Sequence, residues 1–191
     1  MIRAMLSLVL VAGLPAAQPK NAVQPDSDST RFVMTGNYFE CDMPQGWTSK
    51  SDTKADLTGV FSVEFMPPDF SPLEPVSVVA SYYSEGNKAI RDSQSFIRNM
   101  TSNPLKLSGK TVGSISEMPV NGRKAIVIDR SRVIFVPPND PAPKKIQLKE
   151  KFTVIDGTKG FYVIEYQASG DVYDRYFDIY NATVNSFKPF L

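Results

Sequence analysis

The chain has 191 residues, 42% hydrophobic and 11% aromatic, which is enough for one domain with an apolar core. Lys and Arg number 21 against 20 Asp and Glu, and this balance argues against the basic surface that nucleic acids or anionic membranes attract. There is no histidine and one cysteine, so histidine-based catalytic triads, histidine zinc sites and an internal disulfide are excluded.

Residues 1–17 have the pattern of a secretory signal peptide. A positive charge precedes an apolar run from Met5 to Leu14, and small residues of the kind that signal peptidase accepts follow. The run is too short to span a bilayer, and no later stretch approaches the ~18 apolar residues of a spanning helix. We therefore expect an exported protein, periplasmic or secreted. Residues 18–36 are predicted to form a flexible polar leader, and residues 37–191 a single domain.

Three segments in the first half of the domain alternate apolar and polar residues, as strands do. They are residues 38–43, 60–66 and 76–83. A turn, Pro44-Gln45-Gly46-Trp47, ends the first strand. Residues 48–57 are predicted to form a polar loop.

Helical periodicity replaces alternation at two places. Apolar side chains recur at helical spacing over residues 87–102, where Asn87 is a candidate N-cap. A second apolar stripe runs through residues 171–187, with Asp171 as the candidate cap. We expect both amphipathic helices to bury their stripes against a sheet.

Four further strands are predicted between the two helices. Residues 114–120 and 124–128 flank Asn121-Gly122, a pair that tolerates positive φ and favours a two-residue hairpin. Residues 146–155 alternate again, and residues 161–168 are predicted to form another strand. The element order predicts an α+β fold, in which a mainly antiparallel sheet of about six to seven strands packs with two amphipathic helices.

Two short motifs resemble catalytic or phosphate-binding signatures but lack their partners. Ser51-Asp52-Thr53-Lys54 matches the S-x-x-K pair of penicillin-binding proteins, without the companion motifs that acylation requires. Gly109-Lys110-Thr111 ends like a phosphate-binding loop, but Pro104 occupies the position of that loop's first glycine. We therefore predict a protein that is not an enzyme, with no cofactor and no catalytic, cofactor-binding or metal-binding residue. A carboxylate pair assembled by folding stays open.

Other groups of side chains have a structural and a functional interpretation. The acidic residues of the last helix are interpreted as stabilising the start of the helix and forming a solvated face, rather than as a metal site. Its tyrosines favour core packing over an aromatic binding patch, and the basic residues of the later strands favour solubility. These residues are Asp171, Asp174 and Asp178; Tyr173, Tyr176 and Tyr180; and Arg123, Lys124, Arg130, Arg132, Lys144, Lys145, Lys149 and Lys151. We expect Cys41 to be buried in a strand, and a reactive thiol or an intermolecular disulfide is the alternative.

Two proline-rich loops, residues 67–75 and 137–143, are candidate recognition surfaces, because prolines lower loop entropy and leave backbone carbonyls exposed. Rigid connections without a binding role are the alternative. The favoured function is an exported, non-enzymatic accessory protein that binds an envelope or secreted protein and no nucleic acid. The alternative is a small-ligand carrier, whose pocket between sheet and helix would be lined by Tyr82, Trp47 or Tyr166.

Several segments also match a known family in their order. The aromatic strand 38–43 leads into a P-x-G-W turn, the Asn121-Gly122 hairpin follows the first helix, and the last helix closes with Ser186-Phe187. Over about residues 37–189 the chain resembles the PsbP-like fold superfamily, which includes DcrB-like exported proteins of mostly unknown role. The resemblance implies an α+β sandwich and an accessory or binding role. The family also includes the PsbP subunit of photosystem II, whose metal-related roles involve histidine. This chain has no histidine, so the resemblance does not imply those roles.

Overall fold

The structure, a computed structural model, describes residues 29–52, 54–103 and 109–191. The predicted signal peptide lies outside these residues, as does the predicted leader up to residue 28. The described part of the chain forms ten strands and three helices. In chain order these are β1 (Thr30–Val33), β2 (Phe39–Met43), β3 (Thr48–Ser51), α1 (Ala55–Thr58), β4 (Val60–Met66), β5 (Val76–Ser84), α2 (Ser93–Thr101), β6 (Thr111–Val120), β7 (Arg123–Val136), β8 (Lys144–Gly157), β9 (Gly160–Ser169), α3 (Tyr173–Ser186) and β10 (Lys188–Pro189).

Seven of these strands form one antiparallel sheet in the order β3-β4-β5-β9-β8-β7-β6. The predicted hairpin joins β6 to β7, and the φ angles of Asn121 and Gly122, 47° and 78°, are those that a two-residue hairpin requires. A second, smaller sheet has the order β1-β2-β10. The predicted α+β class with a mainly antiparallel sheet is confirmed, and the small sheet and α1 add to it.

One face of the large sheet carries the main core. The helix α3 and the small sheet cover this face. Tyr82 of β5 and Tyr162 and Tyr166 of β9 are at most 2% exposed there, and Ile179 and Val184 of α3 are buried against them. The apolar stripe predicted for the last helix therefore faces the sheet, as expected.

The opposite face of the large sheet is partly covered by α2. Phe96 of this helix packs against Phe152 of β8 and Phe161 of β9, and the ring centroids in each pair are 6.0 Å apart. Tyr83 stacks on Phe161 at 4.6 Å. Each predicted amphipathic helix thus covers one face of the sheet, which makes the sheet the middle layer of the fold.

The predicted start of the first long helix at Asn87 is wrong. The N-cap of α2 is Asp92, whose Oδ1 accepts a hydrogen bond from the backbone N–H of Ser95 at 2.7 Å. The Asn87 side chain instead closes a preceding turn, where Oδ1 accepts from the backbone N–H groups of Ala89 and Ile90. Both residues make the same kind of bond, so the sequence alone does not distinguish them.

The last helix also begins later than predicted. Its first residue is Tyr173, and Val172 occupies the cap position without a side-chain hydrogen bond. The chain enters the helix through a backbone turn, in which Val172 N–H donates to Ser169 O at 3.1 Å. Asp171 is therefore not the cap. None of the described helices combines the length and the apolar character that a membrane crossing needs.

Two segments predicted to lack regular structure contain short elements. β1 lies within the predicted leader, residues 18–36, and Met34 after it is 3% exposed, so the ordered region begins before Asn37. The predicted loop, residues 48–57, contains β3 and α1. All four side chains of β3 are exposed, and the strand is held by backbone pairing with β4, so it has no alternating pattern to detect.

Candidate functional site

The two proline-rich loops lie at the same end of the large sheet. Residues 67–75 connect β4 to β5, and residues 137–143 connect β7 to β8. Neighbouring strands are antiparallel, so the end of β4, the start of β5, the end of β9 and the start of β8 all meet at this edge. The sequence identified both loops as candidate recognition surfaces, and the strand order brings them together.

Three large apolar side chains are exposed at this end. Phe70 and Leu73 in the first loop are 45% and 47% exposed, and Phe135 near the end of β7 is 54% exposed. We call these three side chains the loop-end patch. Phe135 lies opposite Lys145 in the β7–β8 pairing, and Leu73 lines a cavity of about 100 Å³ together with Lys145. Exposed apolar side chains that lie close together mark interaction surfaces more often than scattered ones do.

Side-chain contacts from α3 fix the position of the first loop. The Tyr176 hydroxyl donates to the carboxylate of Asp69, with distances of 3.2 Å to Oδ1 and 3.0 Å to Oδ2. Burial, and this bond to Asp69, raise the pKa of the Tyr176 hydroxyl. The Trp47 ring packs edge-on against Tyr176 at 5.9 Å, which places the predicted turn tryptophan in the core. Phe70 and Leu73 are therefore presented by an anchored loop.

Among the described residues, no strand pairs with the edge of β8 next to the patch. β8 begins at Lys144, but its pairing with β9 begins only at Leu148, so residues 144–147 extend past the end of β9. Gly170 N–H donates to Gln147 O at 2.9 Å and ends the ladder on this side. The extension leaves a short strand edge that faces the cavity lined by Leu73. Such an edge can pair with an extended chain.

A buried hydroxyl at the same cavity is unsatisfied. Ser169 is 3% exposed and lines the cavity, and its Oγ has no hydrogen-bond partner within the part of the chain that the structure describes. Buried polar atoms are almost always paired with protein or with ordered water, so this hydroxyl is an exception in the wall of the cavity. Lys144 and Lys145 line the cavity too, and neither forms an ion pair with a described residue.

Several basic residues of the later strands are paired rather than free. Glu150 is 1% exposed and accepts from Arg130 Nε and Arg132 Nε, each at 2.6 Å. Two further ion pairs join Lys124 to Glu117 at 2.7 Å and Lys151 to Asp129 at 2.6 Å. The prediction of a solvated basic face is wrong for Arg130, whose side chain is 12% exposed, because it neutralises a buried carboxylate.

The aromatic residues considered for ligand binding pack in the core. Tyr180 is 3% exposed, and Tyr173 and Tyr176 pack partly buried against the same cluster, as predicted. The residues named for a carrier pocket, Tyr82, Trp47 and Tyr166, belong to that cluster as well. The cavities described here are lined by other residues. The core between sheet and helix therefore gives the carrier hypothesis no support at its predicted position.

The remaining candidate motifs lie at the ends of short elements. Ser51 is the last residue of β3, Lys54 precedes α1, and both are exposed. Thr111 begins β6, and Gly109 lies in the preceding turn. Within the described ranges, no three Cys, Asp or Glu side chains are close enough together to hold a metal ion.

The single cysteine occupies the buried position expected for it. Cys41 lies in β2, is fully buried and is not in a disulfide. Burial raises the pKa of its thiol to about 12. Because the thiolate is the reactive form, this thiol is structural.

No protein-family model matches the chain, and no curated protein matches it. Among solved structures it is similar to the cyanobacterial PsbP of Synechocystis sp. PCC 6803, with 15% identity, coverage of 91% of this chain and 98% of that chain, and a TM-score of 0.48. The Ran-binding protein Mog1p of Saccharomyces cerevisiae has 12% identity, 85% and 95% coverage and a TM-score of 0.49. LpqN of Mycobacterium tuberculosis, involved in cell envelope biogenesis, has 14% identity, 84% and 90% coverage and a TM-score of 0.48.

A PsbP structure among these matches agrees with the resemblance inferred from the sequence. At 11–15% identity and TM-scores below 0.5, the likenesses concern the fold alone. The α+β architecture itself rests on the strand pairing described above.

Proposed function

We propose that this protein is an exported, non-enzymatic accessory protein that binds another envelope or secreted protein through the loop-end patch. The observation that carries the proposal is the grouping of Phe70, Leu73 and Phe135 at one end of the sheet, beside an open strand edge and a buried unpaired hydroxyl. Exposed apolar side chains and an uncovered strand edge are features that contact with a partner can bury or pair.

The chemistry of the patch specifies the partner. An apolar side chain can pack against Leu73 at the cavity, and an extended backbone can pair with residues 144–146. A carboxylate on the partner is expected to lie beside Lys144 and Lys145, which have no ion pair among the described side chains. We therefore expect the partner to contribute an extended segment that carries an apolar residue next to an acidic one.

Export and the lack of catalysis rest on the sequence. The signal pattern of residues 1–17 supports a mature protein outside the cytoplasm, either periplasmic or secreted. No histidine and no complete catalytic motif are present in the chain. Detection of the chain in the envelope or culture fluid with its first ~17 residues removed supports export, and an uncleaved chain confined to the cytoplasm contradicts it.

Binding can be tested by crosslinking and affinity capture from the native envelope fraction. The patch variant carries Phe70→Ser, Leu73→Ser and Phe135→Ser, and the matched control carries Leu57→Ser, Ile115→Ser and Phe190→Ser, which are equally exposed apolar residues elsewhere. We expect one protein that wild type and control capture equally and that the patch variant captures about tenfold less. Equal capture by both variants, or no capture above background by wild type, contradicts the proposal.

A further inference from the structure

A second, chemically different cavity lies at the other end of the large sheet. It has a volume of about 290 Å³ and is bounded by the turn between β1 and β2, the end of β3, the helix α1 and the start of β4. Phe61, near the start of β4, lines it, whereas the loop-end patch follows the end of β4. We call it the Tyr38 cavity, and it is independent of the proposed docking surface.

One wall of the Tyr38 cavity is aromatic. Tyr38 and Phe61 line it, and their ring centroids are 4.2 Å apart. Tyr38 also stacks on Tyr82 at 4.9 Å, and the Tyr82 hydroxyl donates to Lys159 O at 2.6 Å. The aromatic wall is therefore held in place by the core rather than by solvent-exposed contacts, which makes it a preformed surface for an apolar group.

Two acidic residues also line the cavity. They are Asp52 and Asp56, and both are exposed. Asp52 Oδ1 accepts a hydrogen bond from the backbone N–H of Lys54 at 2.8 Å. Neither carboxylate forms an ion pair with a Lys or Arg in the part of the chain that the structure covers. Two carboxylates without an ion pair among the described residues and two aromatic rings thus line the same cavity.

We propose that the Tyr38 cavity binds an organic cation, a guanidinium or ammonium group on a short apolar stem. Asp52 and Asp56 pair with the charge, and Tyr38 and Phe61 pack against the stem and the flat cation. A cavity of about 290 Å³ is at the small end of ligand sites, so it accommodates one arginine-sized group rather than a large molecule. A neutral ligand of the same shape leaves both carboxylates unpaired and binds more weakly.

The glycine of the β1–β2 turn controls the shape of the aromatic wall. Gly36 has φ +88°, and a Cβ there would approach Tyr38 Cε2 to 2.6 Å. The substitution Gly36→Ala therefore displaces the Tyr38 ring without changing any charge. It separates the contribution of the aromatic wall from that of the carboxylates.

The test is isothermal titration of the full mature chain at low ionic strength with three probes. The first two are agmatine, a free organic cation, and N-acetyl-arginine methylamide, which represents an arginine of a peptide chain. The third is the neutral N-acetyl-citrulline methylamide. We expect at least one cationic probe to bind and the neutral probe to bind about tenfold more weakly or not at all. Preference for agmatine indicates a free amine ligand, and preference for the arginine derivative indicates a peptide.

Two variants complete the test. Asp52→Asn with Asp56→Asn is expected to weaken binding about tenfold, because both ion pairs are removed. The matched control is Asp140→Asn, since Asp140 Oδ1 accepts from Ala142 N–H at 2.8 Å in the same local geometry as Asp52 but at the other end of the sheet. Binding of the cations no tighter than of the citrulline derivative, or unchanged binding by the double variant, overturns the proposal. Undiminished affinity in Gly36→Ala would contradict a contribution of the aromatic wall to binding.

Discussion

Among the described residues, Glu150 is the charged residue that is fully buried. It is 1% exposed and is held by two arginines on the neighbouring strand β7. Burying a carboxylate is costly unless it is paired, and removing one partner of such a group leaves the other charge uncompensated. The stability of this region of the sheet therefore depends on the whole triad of Glu150, Arg130 and Arg132.

We predict that Glu150→Gln destabilises the protein by about 3 kcal/mol, measured as the free energy of unfolding in urea. The reason is that Arg130, with its side chain 12% exposed, keeps its charge without a counter-ion. The control is Glu117→Gln, because the Glu117–Lys124 pair is 61% and 69% exposed, and we expect a loss of about 0–1 kcal/mol. Equal, small losses in both variants would show that the triad is not a stabilising unit.

Glu165 gives the protein a specific dependence of stability on pH. Burial, and then the nearby charge of Glu150, raise its pKa from 4.5 to about 7, although Arg130 and Arg132 oppose the shift. Between these two pH values the folded chain keeps a proton that the unfolded chain releases. Raising the pH from 4.5 through 7 therefore lowers the free energy of unfolding through this group, and below pH 4.5 the effect is absent.

The substitution Glu165→Gln is expected to remove this component. Relative to wild type, the variant should gain stability on the order of 2 kcal/mol between pH 4 and pH 8, measured by urea unfolding at each pH. Glu74→Gln, at an exposed position of the first proline-rich loop, serves as the control and should leave the profile unchanged. A Glu165→Gln profile parallel to that of wild type would contradict the assigned burial.

Residue-scale features differ in how far they could be predicted. The burial of Cys41 follows from its place in an alternating strand and is confirmed. The pairing of Arg130 with Glu150 could not be predicted, because it depends on the register of β7 against β8, which a proline-rich loop of unknown geometry sets. The sequence therefore indicated surface charge where the structure has a buried ion pair.

At the scale of elements, the turns depend on two glycines in different ways. Gly160, the first residue of β9, has φ +138°, and a Cβ there would lie 2.0 Å from Tyr83 O. Gly122, in the hairpin between β6 and β7, has φ +78°, but a Cβ there would have no atom within 4 Å. The first position needs glycine for space and conformation, the second for conformation alone.

We predict that Gly160→Ala costs several kcal/mol and Gly122→Ala about 1 kcal/mol, measured as shifts in the urea midpoint at constant m-value. The larger cost arises because a backbone carbonyl of the adjacent strand β5 must move to admit the methyl group. A smaller loss at Gly160 than at Gly122 would mean that β5 and β9 are not as close as the structure places them.

The sequence predicted most of the longer elements and missed four short ones, β1, β3, α1 and β10. β8 alternates over its first half because only one of its faces is buried there, whereas β5 and β9 carry longer apolar runs because both faces are buried. β3 has no buried side chain and pairs with β4 only through its backbone, so nothing in its composition marks it as a strand. Because the Tyr38 cavity is bounded by the ends of β1 and β3 and by α1, which the sequence did not predict, it could not be predicted either.

At the scale of the whole molecule, the strand order decides which surfaces lie together. The sequence predicted two proline-rich loops as separate candidates, and the order β5-β9-β8-β7 brings both to one end of the sheet. The open edge of residues 144–146 also follows from this order, because β9 ends before β8 does. These long-range relations are beyond local sequence patterns, which fix elements but not their neighbours.

The proposed function requires that the loop-end patch, rather than another exposed surface, contacts a protein partner. The most direct measurement is photocrosslinking in the native envelope, with a benzophenone amino acid placed at Phe135 in one sample and at Leu57 in another. Both positions are exposed, at 54% and 69%, and they lie at opposite ends of the sheet. We predict one discrete crosslinked protein from position 135 and none from position 57. The same adduct from both positions, or an adduct from position 57 alone, would contradict it.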